Sequence, residues 1–270
     1  GQIMPPVMGF AAFFIVQLLG IPYIEVVKAA WIPAVLYFLA VGVAVYFRTR
    51  GKTVGDHTWG DNTLRFRDVF FRVSTITFVG TIGILITLLI MHVSLQMAAL
   101  WATLFAFLSS LAGRNRITPK KAVAVLEDAG NDTLSISVAS LILGLIAGAV
   151  LLTGLGGKIP TLLIGWADGN LIPLLFFTML ASLVLGVGVP TSIAYLIVAI
   201  TVSSSLTQLG VPILHAHLFV FYSAMAAMVT PPVALAAYAG ATIAKANFWK
   251  TGLLAFVIGL PALLVPFAFI

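Results

Sequence analysis

From Leu171 to Gln208 the chain runs for 38 residues without one Asp, Glu, Lys or Arg. Only 8% of the whole chain is charged and 61% is hydrophobic, whereas an ordinary soluble domain carries about 25% charge. The solvent that suits such a sequence is a bilayer. At roughly 20 apolar residues per crossing the stretch is long enough for two passes, yet Gly186-Val187-Gly188-Val189-Pro190-Thr191-Ser192 interrupts it near its midpoint. Two short halves around such a turn read as a re-entrant hairpin over 171–208. Irregular backbone at that depth is tolerated only where protein or a wet cavity surrounds it.

The rest of the chain fits the same reading. Residues 7–19 are apolar, shorter than a span and preceded by Pro5-Pro6, which predicts a half-helix. Residues 22–47 predict a long helix, with Glu25 and Lys28 three apart and able to pair on one face. After a polar connection, 64–72 alternates charge with Phe and reads as a helix in the headgroup region. Residues 73–92 and 95–112 predict two spans joined by a minimal turn. Thr118-Pro119 opens a short amphipathic helix, 133–154 is a further span ending at Gly154-Leu155-Gly156-Gly157-Lys158, and a loop to Asn170 follows. Apolar residues 215–246 are broken at Thr230-Pro231-Pro232, and 250–269 is the last span.

Charge gives the orientation. The formal net charge is +6, but the basic residues sit between apolar runs and form no nucleic-acid-binding tract. Six lie from Arg48 to Arg72 and four from Arg114 to Lys121, which places both connections in the cytoplasm. The chain opens on Gly1 with no charged segment and cleavage site of a signal peptide, and so reads as a fragment.

An internal match carries the functional argument. Met4-Pro5-Pro6-Val7 and the half-helix after it parallel Thr230-Pro231-Pro232-Val233 and its half-helix, each followed by a polar break and a long apolar helix. Helices broken at matching points of two repeats mark a transporter's binding site, because unwinding frees carbonyls and helix ends to hold ions and substrate. Carbonyl and hydroxyl ligands suit a hard cation such as Na⁺. Pro and Gly also kink helices that merely pack together, and broken helices build channels as well.

Other chemistries find little support. Zero cysteines exclude thiolate chemistry and Cys-ligated zinc. His215 and His217 point to different faces of a helix and read as boundary residues. The Ser203–Ser205 run lacks a nucleophile-elbow context and an acidic partner, so no enzyme is expected. Phe219, Phe221 and Tyr222 are read as packing groups. Lys245 and Lys250 flank a short connection as interfacial anchors.

Nearly the whole chain resembles the large membrane subunit of the TRAP (tripartite ATP-independent periplasmic) transporters, in the branch with fused small and large subunits. The most specific stretches are GQIMPPVMG at 1–9, TGLGGK at 153–158, LGVGVPTSIAYLIVA at 185–199, the run from Leu209 to Ala239, and FWKTG from Phe248. The resemblance implies an all-α polytopic membrane protein of the inverted-repeat, ion-transporter-like elevator fold, in the bacterial inner membrane. Residues 1–50 would be the tail of the first repeat, 51–72 a basic cytoplasmic loop with its interfacial helix, and 73–270 the main part of the second repeat. The serine-rich first hairpin and the earlier arm and scaffold helices are absent from the sequence, so this fragment is not expected to transport alone.

The resemblance also implies the site and the partners. A first sodium site would use Gly1, Met4, Pro5 and Pro6. A second would use the hairpin turn at Gly186 and Gly188 with Thr230 and Val233. Pro190, Thr191 and Ser192 would line the hairpin tip beside the substrate. Na⁺ is the coupling ion, with no cofactor and no transition metal. Organic anions would arrive on a periplasmic substrate-binding protein, and a small membrane subunit would complete the transporter. A stand-alone Na⁺/carboxylate symporter of the same broad fold is the alternative, with a channel behind it.

Overall fold

A computed structural model of the chain describes residues 2–50, 73–111, 118–186 and 191–270. Among them all regular secondary structure is helical. The first helices are α1 (Phe10–Leu19), α2 (Tyr23–Thr49), α3 (Val73–Ile90), α4 (Leu95–Leu111) and α5 (Pro119–Thr153). Then come α6 (Leu155–Trp166), α7 (Leu171–Gly186), α8 (Thr191–Thr201), α9 (Ser203–Gln208) and α10 (Ile213–Ala226). A 3-10 turn (Ala227–Val229) precedes α11 (Leu235–Ile243), α12 (Phe248–Gly259), α13 (Pro261–Leu264) and a closing 3-10 turn (Val265–Ala268).

Among the described residues two stretches are long and apolar enough to cross a membrane, Tyr23–Thr49 and Phe248–Ala268; Ser140–Val150 and Leu155–Trp166, bent by 68°, reach that length only when taken together as one broken span. Hydroxyl pairing tells the same story. Thr81, Thr153, Thr201, Ser182 and Ser223 each donate to the carbonyl four residues back in their own helix. In hydrocarbon no water can take these protons, so the helix must satisfy them itself.

The chain divides into two units. The smaller comprises residues 22–24 and 51–137. In it α3 and α4 form a tight antiparallel pair, closed by backbone bonds from Val93 to Leu88 and from Ala98 to Ser94. Gly80 lies so close to the ring of Phe105 that a Cβ there would stand 2.5 Å from it.

The larger unit comprises 1–21, 25–50 and 138–270. Its centre is α10, buried from Ala216 through Ala226 on every side. That pattern belongs to an interior helix, not an amphipathic one. Helices α7 and α8 pack on α10 and on each other, and α1 packs on α8 and α10. The small stripe Thr178, Ser182, Gly186 of α7 lies inside this cluster. Aromatic rings fill the rest: Phe219 meets Phe267 edge-on at 5.3 Å and Tyr222 meets Phe269 at 5.9 Å. The Tyr222 hydroxyl donates to the Ala30 carbonyl of α2 at 3.3 Å.

Several local expectations change. The amphipathic segment after Thr118 and the span after 133 are one helix of 35 residues, capped by Thr118 at the Lys121 amide. Glu127, Asp128 and Asp132 lie within its unbroken backbone. The loop expected between 158 and 170 is mostly helix α6, which starts after left-handed Gly154 and buries Pro160 and Leu163. The last span keeps its length over Phe248–Ala268, with α12 passing into α13 at Leu260, whose backbone is still right-handed helical, and Pro261. The proposed interfacial helix at 64–72 lies outside the described residues, as do Gly1, Gly188 and Pro190.

Candidate functional site

Both double prolines sit in breaks with the same backbone design. Pro5-Pro6 and Pro231-Pro232 are both cis. Two residues further on, Met8 and Ala234 take the left-handed conformation, with φ of 45° and 41°. Each closes a bond to the residue before the prolines: Met8 N–H donates to Met4 O at 3.2 Å, and Ala234 N–H to Thr230 O at 3.2 Å. The half-helices α1 and α11 then begin, neither with a side-chain cap. Each ends near a left-handed residue, Gly20 or Lys245, before the long helix α2 or α12. Left-handed backbone costs a residue with a Cβ roughly 1–2 kcal/mol, so its recurrence in one register at two unlike side chains identifies a shared backbone form.

The second break is seated among glycines. A Cβ on Gly186, at the end of α7, would stand 2.9 Å from the Ala227 Cβ and 3.6 Å from the Ala224 carbonyl oxygen. From the other side, a Cβ on Gly252 would lie 3.8 Å from Ala234 and 3.9 Å from Pro231, and one on Gly259 would lie 3.1 Å from Val229. Gly252 and Gly259 are two turns apart on one face of α12, and both are buried. Their absent side chains let two helices approach backbone that leaves the helical ladder.

Thr230 is extended and half-buried, and its hydroxyl donates to the Ala226 carbonyl at 2.7 Å. Its amide donates to Ala227 O at 3.2 Å. The hydroxyl proton is thereby committed, and toward any other group the oxygen is an acceptor.

Of the residues proposed for the second sodium site, Gly186 and the Thr230 break are brought together through Ala227, and Val233 lies half-buried in the same break. Thr191 and Ser192 form the half-buried first turn of α8, whose Ala194 faces Gly186. Met4 and Pro6 are half-buried and Pro5 is buried in the first break, whose half-helix α1 packs on α8 and α10.

Three features escaped the sequence reading. The glycine pair of α12 was legible in principle from its spacing of seven. Thr178 on α7 is fully buried, and its hydroxyl has no partner among the described residues. His217 is a packed residue, not a boundary one: it is 7% exposed, and its Nδ1 lies 2.7 Å from the Tyr195 hydroxyl. Phe219, Phe221 and Tyr222 are wholly enclosed, which is what packing groups require.

Comparison with curated proteins and with solved structures gives no significant match. Comparison with protein families matches residues 1–270 to the DctM component of the tripartite ATP-independent periplasmic transporters. With its apolar helices and paired breaks, the chain belongs to this family and is a membrane component of a TRAP transporter.

Proposed function

We propose that this chain forms the ion- and substrate-carrying part of a Na⁺-coupled importer of organic anions, multi-pass in the bacterial inner membrane. A periplasmic binding protein would deliver carboxylates to it, and a small membrane subunit would complete the assembly. The observation that carries the reading is the duplicated break, with Met8 and Ala234 at the same register behind two double prolines. Paired discontinuous helices are how secondary transporters expose carbonyl oxygens near the bilayer midplane.

Charge supports an inverted relation between the two copies. In the first, Arg48 lies in the last turn of the long helix α2 and Arg50 just after it; in the second, Lys245 and Lys250 bracket the start of α12. Basic ends favour the cytoplasm, so the two long helices would run in opposite directions, as an elevator-type inverted repeat requires. Thr230 supports the choice of a hard cation, since its hydroxyl oxygen, its proton given to Ala226 O, adds an acceptor to a break where backbone leaves the helical ladder.

The test is uptake of labelled organic acids by the assembled transporter in proteoliposomes, with and without a Na⁺ gradient and the binding protein. Uptake that needs both, and that Thr230→Ala weakens, is expected. Uptake needing Na⁺ alone would point to a stand-alone symporter, and Na⁺-independent flux to a channel.

A further inference from the structure

Tyr195 and His217 are 22 residues apart, on α8 and α10, and meet in the interior of the larger unit. Tyr195 is 0% exposed and lies edge-on to Phe221 at 6.2 Å. A buried phenol needs an acceptor for its proton, and among the described residues Tyr195 has His217 Nδ1 alone. If Nδ1 carried a hydrogen, the phenol proton would be stranded. The arrangement that satisfies both groups has Tyr195 donating, Nδ1 accepting and the imidazole proton on Nε2.

Among the described residues no acid stands by to receive a charged imidazole. Helices α1, α7, α9 and α13 and the closing 3-10 turn contain no Asp, Glu, Lys, Arg, His or Tyr, and α8 contributes only Tyr195. Helix α6, which packs on α8, carries Lys158 and is followed by Asp168, both exposed. On α10 itself the other titratable groups are His215 and Tyr222. Helix α2 reaches this region through Ala30 and Tyr37, while its Glu25 and Lys28 are exposed and paired with each other at 3.0 Å. Protonation of His217 would make both ring nitrogens donors, remove the acceptor from Tyr195 and leave a cation without a counter-charge.

The position of the pair gives it a task. Tyr195 is one helical turn beyond Thr191 and Ser192 and holds the first turn of α8 to α10. We propose that Tyr195 and His217 are positioning residues that form a proton-sensitive latch, fixing Thr191 and Ser192 in the first turn of α8 while the imidazole is neutral and releasing that turn when the imidazole is protonated. This deepens the transport reading and rests on it for its purpose, since Thr191 and Ser192 are residues that reading puts beside the substrate.

The absence of cysteine in the chain allows a direct test. In the assembled transporter, Ser192→Cys is labelled with a water-soluble maleimide, and the rate is followed from about pH 8 to about pH 3.5, a range that reaches well below the ordinary imidazole value. Ratios between backgrounds at one pH cancel the thiol's own titration. At pH 8, Tyr195→Phe should raise labelling about fivefold, the change expected for one lost hydrogen bond, while His217→Gln, which keeps an acceptor, should leave it near the parent rate. Acidification should raise labelling in the parent and not in His217→Gln. A parent profile that stays flat, an equal acid rise in His217→Gln, or parent-like labelling of Tyr195→Phe would overturn the latch. Labelling needs neither Na⁺ nor substrate, so its failure is separate from a failure of Na⁺-coupled uptake.

Discussion

Met8 and Ala234 occupy one backbone position in two copies of a motif: each is left-handed, each lies two residues past a double proline, and each donates its amide to the residue before that proline pair. Glycine adopts this conformation without a Cβ penalty. Ala234→Gly is therefore expected to raise stability by up to about 1 kcal/mol, the strain relieved less the added chain entropy. Ala234→Val should cost about 1–3 kcal/mol, because a branched side chain strains that backbone and Ala234 is fully buried beside Gly252. Thermal unfolding in detergent reads both.

The glycines around the second break should differ in tolerance. Gly186→Ala puts a Cβ 2.9 Å from that of Ala227 and must push α7 away from the break, whereas Gly252→Ala meets its neighbours at 3.8 and 3.9 Å. The first should lose about 1–3 kcal/mol of stability through overpacking and most uptake; the second should change little. Equal behaviour of the two would contradict the close approach of α7.

Thr178→Val removes a buried hydroxyl that has no partner among the described residues. Ser182 bonds the Thr178 carbonyl, not its side chain, and is left undisturbed. Stability should rise by about 1 kcal/mol, because an unsatisfied buried group is lost for a side chain of the same shape. A fall in the unfolding temperature would show that the hydroxyl has a partner of its own.

At position 230, Ser keeps the hydroxyl that donates to Ala226 O and Val does not. On the proposed sodium role, Thr230→Val should raise the Na⁺ concentration for half-maximal uptake about fivefold or more, as for loss of one oxygen ligand, and Thr230→Ser should stay near the parent. An equal rise in both would place the effect in packing of the methyl group.

Elements dictated by local chemistry were legible. Two successive prolines remove two helix donors and clash with the preceding turn, so Pro5-Pro6 and Pro231-Pro232 announced both breaks where the single Pro33 and Pro160 are carried within helices, and the spacing of Glu25 and Lys28 announced a pair that forms at 3.0 Å. Elements decided by packing were not. Gly156 and Gly157 made α6 look like a loop, yet Pro160 and Leu163 find burial that outweighs poor propensity. The charges of α5 suggested a boundary, but neither proline nor a left-handed glycine stops that helix. The bond between Tyr195 and His217 joins different helices, and no periodicity in one helix foretells a partner on another.

Self-bonded hydroxyls also have a consequence for anions. Ser182, Thr201, Ser223 and Thr230 have each given their hydrogen to their own helix, so toward any visitor they are acceptors only. A carboxylate entering this interior would meet like polarity from these four side chains, and the main chain offers it donors in their place. The uncapped first turns of α1 and α11 are such donors, since neither Gly9 nor Ala234 covers the amides that follow it with a side chain. Discrimination between anions would then depend on how backbone amides are spaced, a property that side-chain substitution alters only by moving a helix.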